Sequence, residues 1–267
     1  MKISPHISCL LLPLFLLVAG RASAMNPGIT DSEWHGYRRL DFVVAGRPAL
    51  LICPAKPAPG KPWVWRAEWF GERHAPQVSL ALLERGWHLA YMNAADLYGA
   101  PPAMALFDAY YQRVTSGFGL AKRMVIEGFS RGGLYAFNFA ADHPDRVAAL
   151  YLDAPALDLR SWPGRKSPLW AECLQSYGLT DAEMAKAKVS PVDRIAAVAR
   201  ARIPIFGVSG DADEVVPYAE NLAVLVERYR AAGGTIEVVI KRGGKHHPHG
   251  LDDPAPIVDF ILEHARY

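Results

Sequence analysis

The pentapeptide Gly128-Phe129-Ser130-Arg131-Gly132 lies between an apolar run at residues 123–127 and a helical pattern at residues 132–142. The two flanks have different hydrophobic periods, so the chain must leave a strand and enter a helix within a few residues. So tight a turn brings backbone against backbone at Gly128 and Gly132, where a Cβ would clash. The run before it lacks polar alternation, as a strand buried on both faces of a parallel sheet requires. Seven more strands are expected at residues 40–44, 49–53, 63–65, 88–92, 147–152, 203–208 and 235–241. Helices are expected at 77–85, 102–117, 132–142, 215–232 and 255–266. Strand–helix–strand order implies right-handed crossovers and a mostly parallel central sheet flanked by helices, an α/β fold. At 267 residues, 51% of them hydrophobic, the chain can bury one substantial core and is short for two. Residues 155–203 fit the alternation less well and are expected to form a small helical insert, a lid or rim.

Residues 1–24 are a different kind of sequence. Lys2, the apolar run from Cys9 to Gly20 and the small-x-small triplet Ala22-Ser23-Ala24 predict a signal peptide cleaved after Ala24. The apolar run is shorter than the roughly 20 residues that span a bilayer. The expectation is therefore export to a periplasm or outside the cell, without stable membrane insertion after cleavage. Residues 25–267 would form a single domain. A net charge of +2, with scattered Lys and Arg, speaks against nucleic acid as a partner. Beyond the leader only Cys53 and Cys173 remain, and whether they pair is left open.

A serine on a strand-to-helix turn projects its hydroxyl above the sheet, beside a helix N-terminus that favours negative charge. Ser130 is thus a candidate nucleophile, and the Arg131 N–H a candidate oxyanion donor. Such a serine needs a base, and the base an orienting acid, in the chain order Ser, Asp or Glu, His. The strand at 203–208 runs into Asp211 and Asp213, which spacing does not separate. The strand at 235–241 runs into His246, His247 and His249. Three histidines in four positions invite a metal reading, but no well-spaced set of other donors accompanies them. No metal and no cofactor are expected. One histidine would be the base, and another would hold the loop or touch substrate.

These residues resemble the α/β-hydrolase superfamily, and more narrowly secreted bacterial esterases of the prolyl-oligopeptidase-like and dienelactone-hydrolase-like kinds. The resemblance runs from about Leu40 to the C-terminus. In such families the acid sits in an Asp-x-Val-Val-Pro stretch, matched by Asp213-Glu214-Val215-Val216-Pro217, which implies Asp213 ahead of Asp211. The histidine follows the last strand after a short glycine turn, which implies His246 ahead of His249. The second oxyanion donor comes from the loop after the third strand, where the familiar His-Gly-Gly form is absent. The resemblance then implies a backbone N–H from Trp65, Arg66 or Ala67.

The expected activity is hydrolysis of a carboxylic ester through an acyl-enzyme. The substrate expected is a saccharide ester or a small polar or aromatic one, with Trp65, Trp69, Asp96 and Trp162 as candidate contacts because indole faces suit sugar and aryl rings. Arg131 would recognise an acidic group or pack against a carboxylate. The rival readings are a serine peptidase and a binding protein that keeps the fold. Peptidases of the prolyl-oligopeptidase type usually carry a gating domain, for which no segment is evident in the sequence.

Overall fold

The computed structural model describes residues 28–72 and 74–265; the expected leader at 1–24 lies outside the described residues. Nine strands form one sheet: β1 (Thr30–Trp34), β2 (Tyr37–Val44), β3 (Arg47–Cys53), β4 (Trp63–Arg66), β5 (His88–Met92), β6 (Met124–Phe129), β7 (Val147–Asp153), β8 (Ile205–Gly210) and β9 (Ile236–Lys241). Their spatial order is β1-β2-β3-β5-β4-β6-β7-β8-β9. The pairs from β1 to β5 are antiparallel, and every pair from β5 across to β9 is parallel. The crossovers carry α1 (Gln77–Glu84), α2 (Pro101–Gly117), α3 (Gly132–Asp142), α4 (Trp170–Tyr177), α5 (Asp181–Met184), α6 (Ile195–Arg200) and α7 (Leu222–Ala231), and α8 (Ala255–His264) follows β9.

Every residue of β4, β6, β7 and β8 is buried, because helices cover both faces of the parallel half. Side chains alternate between those faces. Val64, Leu89, Val125, Tyr151 and Phe206 pack with α1 and α8. Trp63, Trp65, Ile126, Leu150 and Ile205 pack with α2, α3, α6 and α7.

Three elements differ from expectation. β1 is a polar edge strand with four exposed residues, paired to β2 by its backbone ladder and by the polar contacts of Asp31 with Arg38 and of Ser32 with Asp41, so no hydrophobic pattern marks it. α7 begins at Leu222, not at 215, because the Asp213 carboxylate accepts the Val215 and Val216 N–H groups (2.9 Å each) and holds that stretch as a turn. Residues 155–203 are helical, but they are not shown as a lid. Trp170, Cys173, Met184, Val192, Ile195 and Val198 are buried in the main core, and Asn221 Oδ1 ties the start of the segment down through Leu157 N–H (2.8 Å). Cys53 and Cys173 are both free thiols.

Candidate active site

Ser130 stands at φ 52° between the end of β6 and the start of α3. Its N–H donates to Asp153 O (2.9 Å), and its carbonyl accepts from Gly133 and Ala156 (3.0 and 2.8 Å). This left-handed turn is held by bonds on both sides, which is how a non-glycine residue keeps such a conformation. A Cβ on Gly128 would stand 2.9 Å from both Ala136 Cβ and Gly132 O, so helix and strand approach there only through glycine.

Asp213 and His246 leave the C-terminal ends of β8 and β9, the rim on which Ser130 also lies. His246 Nδ1 faces Asp213 Oδ2 at 2.7 Å, and His246 Nε2 faces Ser130 Oγ at 2.8 Å. With the proton on Nδ1 donated to Asp213, the Nε2 lone pair accepts the serine hydroxyl. All three residues are buried. The second carboxylate oxygen of Asp213 is spent on the two turn amides, so the acid is fixed at both ends.

The alternative candidates have other partners. Asp211 is not the histidine's acid: its Oδ1 accepts the Gly243 N–H (2.6 Å) and its Oδ2 faces Arg242 (3.4 Å), closing the turn after β9. The structure pairs His249 Nδ1 with Asp153 Oδ1 at 2.8 Å, while the Ser130 hydroxyl is bonded to His246. His247 is exposed. Its pKa is lowered by burial of part of its ring and by His249 and His246 beside it. The three histidines have ligand atoms within 4.8 Å of one another. Both nitrogens of His246 and Nδ1 of His249 are already engaged by protein groups.

The Arg131 N–H stands at the start of α3, where amides have no intrahelical acceptor. The expected second donor is displaced. Arg66 is paired in register with Glu127 on one side and Tyr91 on the other, so its amide lies inside the sheet. Trp65 is likewise within β4, and Ala67 N–H donates to Glu127 O (3.0 Å). The first amides past the ladder belong to Glu68 and Trp69. Glu68 N would lie 3.5 Å from a Cβ on Gly132, which places this segment against the elbow.

Around Arg131 the structure gathers Trp69 and Asp96. The guanidinium lies 4.5 Å from the Trp69 ring centroid, 3.0 Å from Asp96 and 3.4 Å from Glu68. Of the two roles expected for Arg131, pairing with carboxylates is the one observed. Burial raises the Glu68 pKa, and Arg131 opposes that rise. Trp162 is half-buried, 6.0 Å from the Tyr98 ring.

Trp65 does not contact substrate space: it is wholly buried among Phe107, Tyr110 and Phe139 (4.3, 5.2 and 5.2 Å). The Arg66 side chain is also buried, paired with Glu127 (3.0 Å) and bonded to Ser79 Oγ (3.1 Å), Ala75 O (3.2 Å) and His74 O. Glu68, Glu127 and Asp153 were not anticipated as parts of this site. An acid closing an apolar strand run, as Glu127 and Asp153 do, is their one sequence signal, since a carboxylate enters a core only with partners.

An open sheet of this topology, with the serine on the elbow after β6, the acid after β8 and the histidine after β9, defines an α/β-hydrolase. Residues 89–266 match the model of the prolyl oligopeptidase family, two thirds of the sequence, and the chain belongs to that family of serine hydrolases. Three solved structures share the fold. The Pyrococcus horikoshii acylaminoacyl peptidase is 13% identical with a TM-score of 0.64, over 86% of this chain and 41% of its own. Porphyromonas gingivalis dipeptidyl peptidase 4 is 16% identical with a TM-score of 0.64, over 85% and 35%. A cold-adapted esterase from an Arctic intertidal metagenomic library is 17% identical with a TM-score of 0.59, over 89% and 98%. The chain thus spans less than half the length of either peptidase. No curated protein matches it by sequence. Among the described residues no helix is long and apolar enough to cross a membrane.

Proposed function

We propose that the protein is an exported carboxylic-ester hydrolase acting through Ser130, His246 and Asp213 on saccharide esters or other small polar or aromatic esters. The observation that carries this reading is the continuous relay from Ser130 Oγ through His246 to Asp213, with links of 2.8 and 2.7 Å. In the reaction, His246 Nε2 takes the hydroxyl proton as Oγ bonds to the ester carbonyl carbon. The N–H of Arg131, with that of Glu68 or Trp69, receives the oxyanion. One such donor is worth about 3 kcal/mol of barrier. Asp213 keeps the Nδ1 tautomer and stabilises the imidazolium. His246 then gives the proton to the departing alkoxide. Water, deprotonated by the same nitrogen, attacks the acyl carbon, and Oγ leaves with the proton returned to it.

The likeness to the cold-adapted esterase, which extends over 98% of that chain, supports an ester as the substrate class. Neutral substrates are favoured because Arg131, a cation beside the elbow among the described residues, is already paired with Glu68 and Asp96. Of the two half-buried indoles, Trp162 is the flat surface proposed for a sugar or aryl ring, because the Trp69 ring is engaged by the Arg131 guanidinium (4.5 Å) and by the His74 ring (5.6 Å).

A fluorophosphonate probe tests the nucleophile: wild type should be labelled and Ser130→Ala should not. Folded wild-type protein that resists the probe would falsify the assignment. Turnover of acetylated and feruloylated saccharides, simple aryl esters and peptide anilides then tests the substrate class. Faster peptide than ester cleavage would select the peptidase reading suggested by the family and by the two longer neighbours.

A further inference from the structure

Beside the relay lies a second histidine–carboxylate pair that the proposed chemistry does not use. Asp153, the last residue of β7, is wholly buried. Its Oδ1 faces His249 Nδ1 at 2.8 Å. Its Oδ2 accepts the Gly250 N–H at 2.8 Å and the Tyr151 hydroxyl at 2.9 Å. Burial and the adjacent carboxylate raise the Tyr151 pKa well above the ordinary value, so this group is a permanent phenol donor. The carboxylate thus has three donors around it, and two of them belong to the loop that carries His246.

The backbone of the same residue holds the other reacting element, since Asp153 O accepts the Ser130 N–H at 2.9 Å. One residue therefore fastens the serine's turn through its carbonyl and the histidine's loop through its side chain. The fastening is rigid because β7 is a central strand, paired in register with β6 through Phe129↔Asp153 and with β8 through Asp153↔Val208. His249 also meets the base directly. Its ring centroid is 5.1 Å from that of His246 at an interplanar angle of 78°, and on another side it lies 5.3 Å from the Phe129 ring. The His246 ring is thereby backed by a ring whose own orientation is set by a charge-assisted bond.

We propose that Asp153 and His249 are positioning residues, a second pair that holds His246 Nε2 on Ser130 Oγ without touching substrate. This rests on the reading of Ser130, His246 and Asp213 as the reacting set. A histidine placed only to fill space would need no carboxylate, and of the three donors that offset the desolvation of Asp153, two tie the loop of His246 to β7.

The test uses a pair of variants of similar size, His249→Asn and His249→Leu. Asparagine keeps an N–H donor near the place of Nδ1 and leucine does not. Loss of a hydrogen bond to a charged group corresponds to about 10- to 100-fold in rate. The expected result for His249→Leu is a fall of that size in kcat on an aryl acetate, with KM within about twofold, as for an interaction realised in the transition state. His249→Asn should recover most of the rate. Fluorophosphonate labelling of wild type comes first: failure there removes the reading of the reacting set, whereas labelled wild type makes the variants decisive. Equal kcat in folded His249→Leu and wild type would overturn the proposal, as would equal losses in the Asn and Leu variants. If His249→Leu does not fold, Tyr151→Phe carries the test. It removes one donor from Asp153 at the other side of the carboxylate and should lower kcat, leaving KM unmoved; unchanged kcat would overturn the proposal.

Discussion

Arg131 shows how one residue serves two functions through different atoms. Its amide belongs to the helix start beside Ser130, and its guanidinium belongs to a small cluster with Glu68, Asp96 and Trp69. Glu68 is the sensitive member: it is buried, burial raises its pKa, and Arg131 is the group that opposes the rise. Arg131→Met would leave that carboxylate without its counter-ion. The expected loss is about 1–3 kcal/mol of unfolding free energy, the cost of stranding a buried polar group. A raised carboxylate pKa means the folded state binds the proton more tightly than the unfolded one. The penalty should therefore deepen as pH rises through the native Glu68 pKa. Glu68→Gln with Arg131→Met should cost less than the sum of the two single changes, since no charge is then left unpaired. Urea unfolding of the four proteins at pH 5 and pH 8 measures this, and strict additivity would show that the pair is not coupled. The amide is untouched by either change, so turnover of a minimal acetate ester should stay within a few-fold of wild type.

At the scale of elements, the relay depends on two loops that meet through glycines. A Cβ on Gly210 would stand 2.1 Å from Gly244 O, an outright overlap. The contact is part of a seam in which Ala212 N–H donates to Gly244 O (3.0 Å) and Asp211 N–H to Lys241 O (3.2 Å). The seam delivers Asp213 from β8 and His246 from β9 to their 2.7 Å contact. Gly210→Ala should force the loops apart and lower kcat by about 100-fold, the scale of a misplacement near 1 Å, with the fluorophosphonate labelling rate falling in parallel. Unchanged labelling would mean that the loops adjust independently of the relay. The elbow and the buried strands around it could be read from the sequence because each is a local pattern, whereas the acid-before-histidine order comes from the chain order of the fold that the elbow suggests. The β1 strand could not, since its residues are polar and only an edge partner makes it a strand. Nor could the burial of Trp65: one residue decides whether a strand ends in the core or on the rim, and β4 runs on to Arg66. The pairing of Asp153 with His249 spans 96 positions, and no local spacing encodes it. Asp211 and Asp213 differ only in which loop amides each one caps, a distinction that requires the fold.

Across the whole molecule, the parallel half of the sheet separates chemistry from stability along the strand direction. Its C-terminal rim carries Ser130, Asp153, Asp213 and His246, while the opposite end carries a buried histidine with a different consequence. His88, the first residue of β5, is 5% exposed, and its Nδ1 lies 3.3 Å from Pro62 O. Burial lowers its pKa to about 4, the Pro62 carbonyl acting weakly in the other direction. A histidine depressed on folding is protonated first in the unfolded chain as pH falls. Its contribution to stability is therefore fully present above about pH 6.5 and is lost as pH falls towards about 4. That interval corresponds to about 3 kcal/mol, a large share of the 5–15 kcal/mol typical of a domain. Glu68 and Glu127, both with pKa values raised by burial, act in the opposite sense, so the informative quantity is a difference between two proteins. His88→Asn keeps a polar group of similar reach to Pro62 and removes the titration. Urea unfolding at half-unit steps from pH 4 to 7.5 should show a shallower fall in the variant, by up to about 3 kcal/mol over the range. Its kcat at pH 8 should match wild type, because His88 lies at the end of the sheet away from Ser130. An identical slope in the two proteins would mean that His88 takes up its proton without unfolding. A lowered kcat at pH 8 would mean instead that the two ends of the sheet are mechanically coupled through β5 and β4.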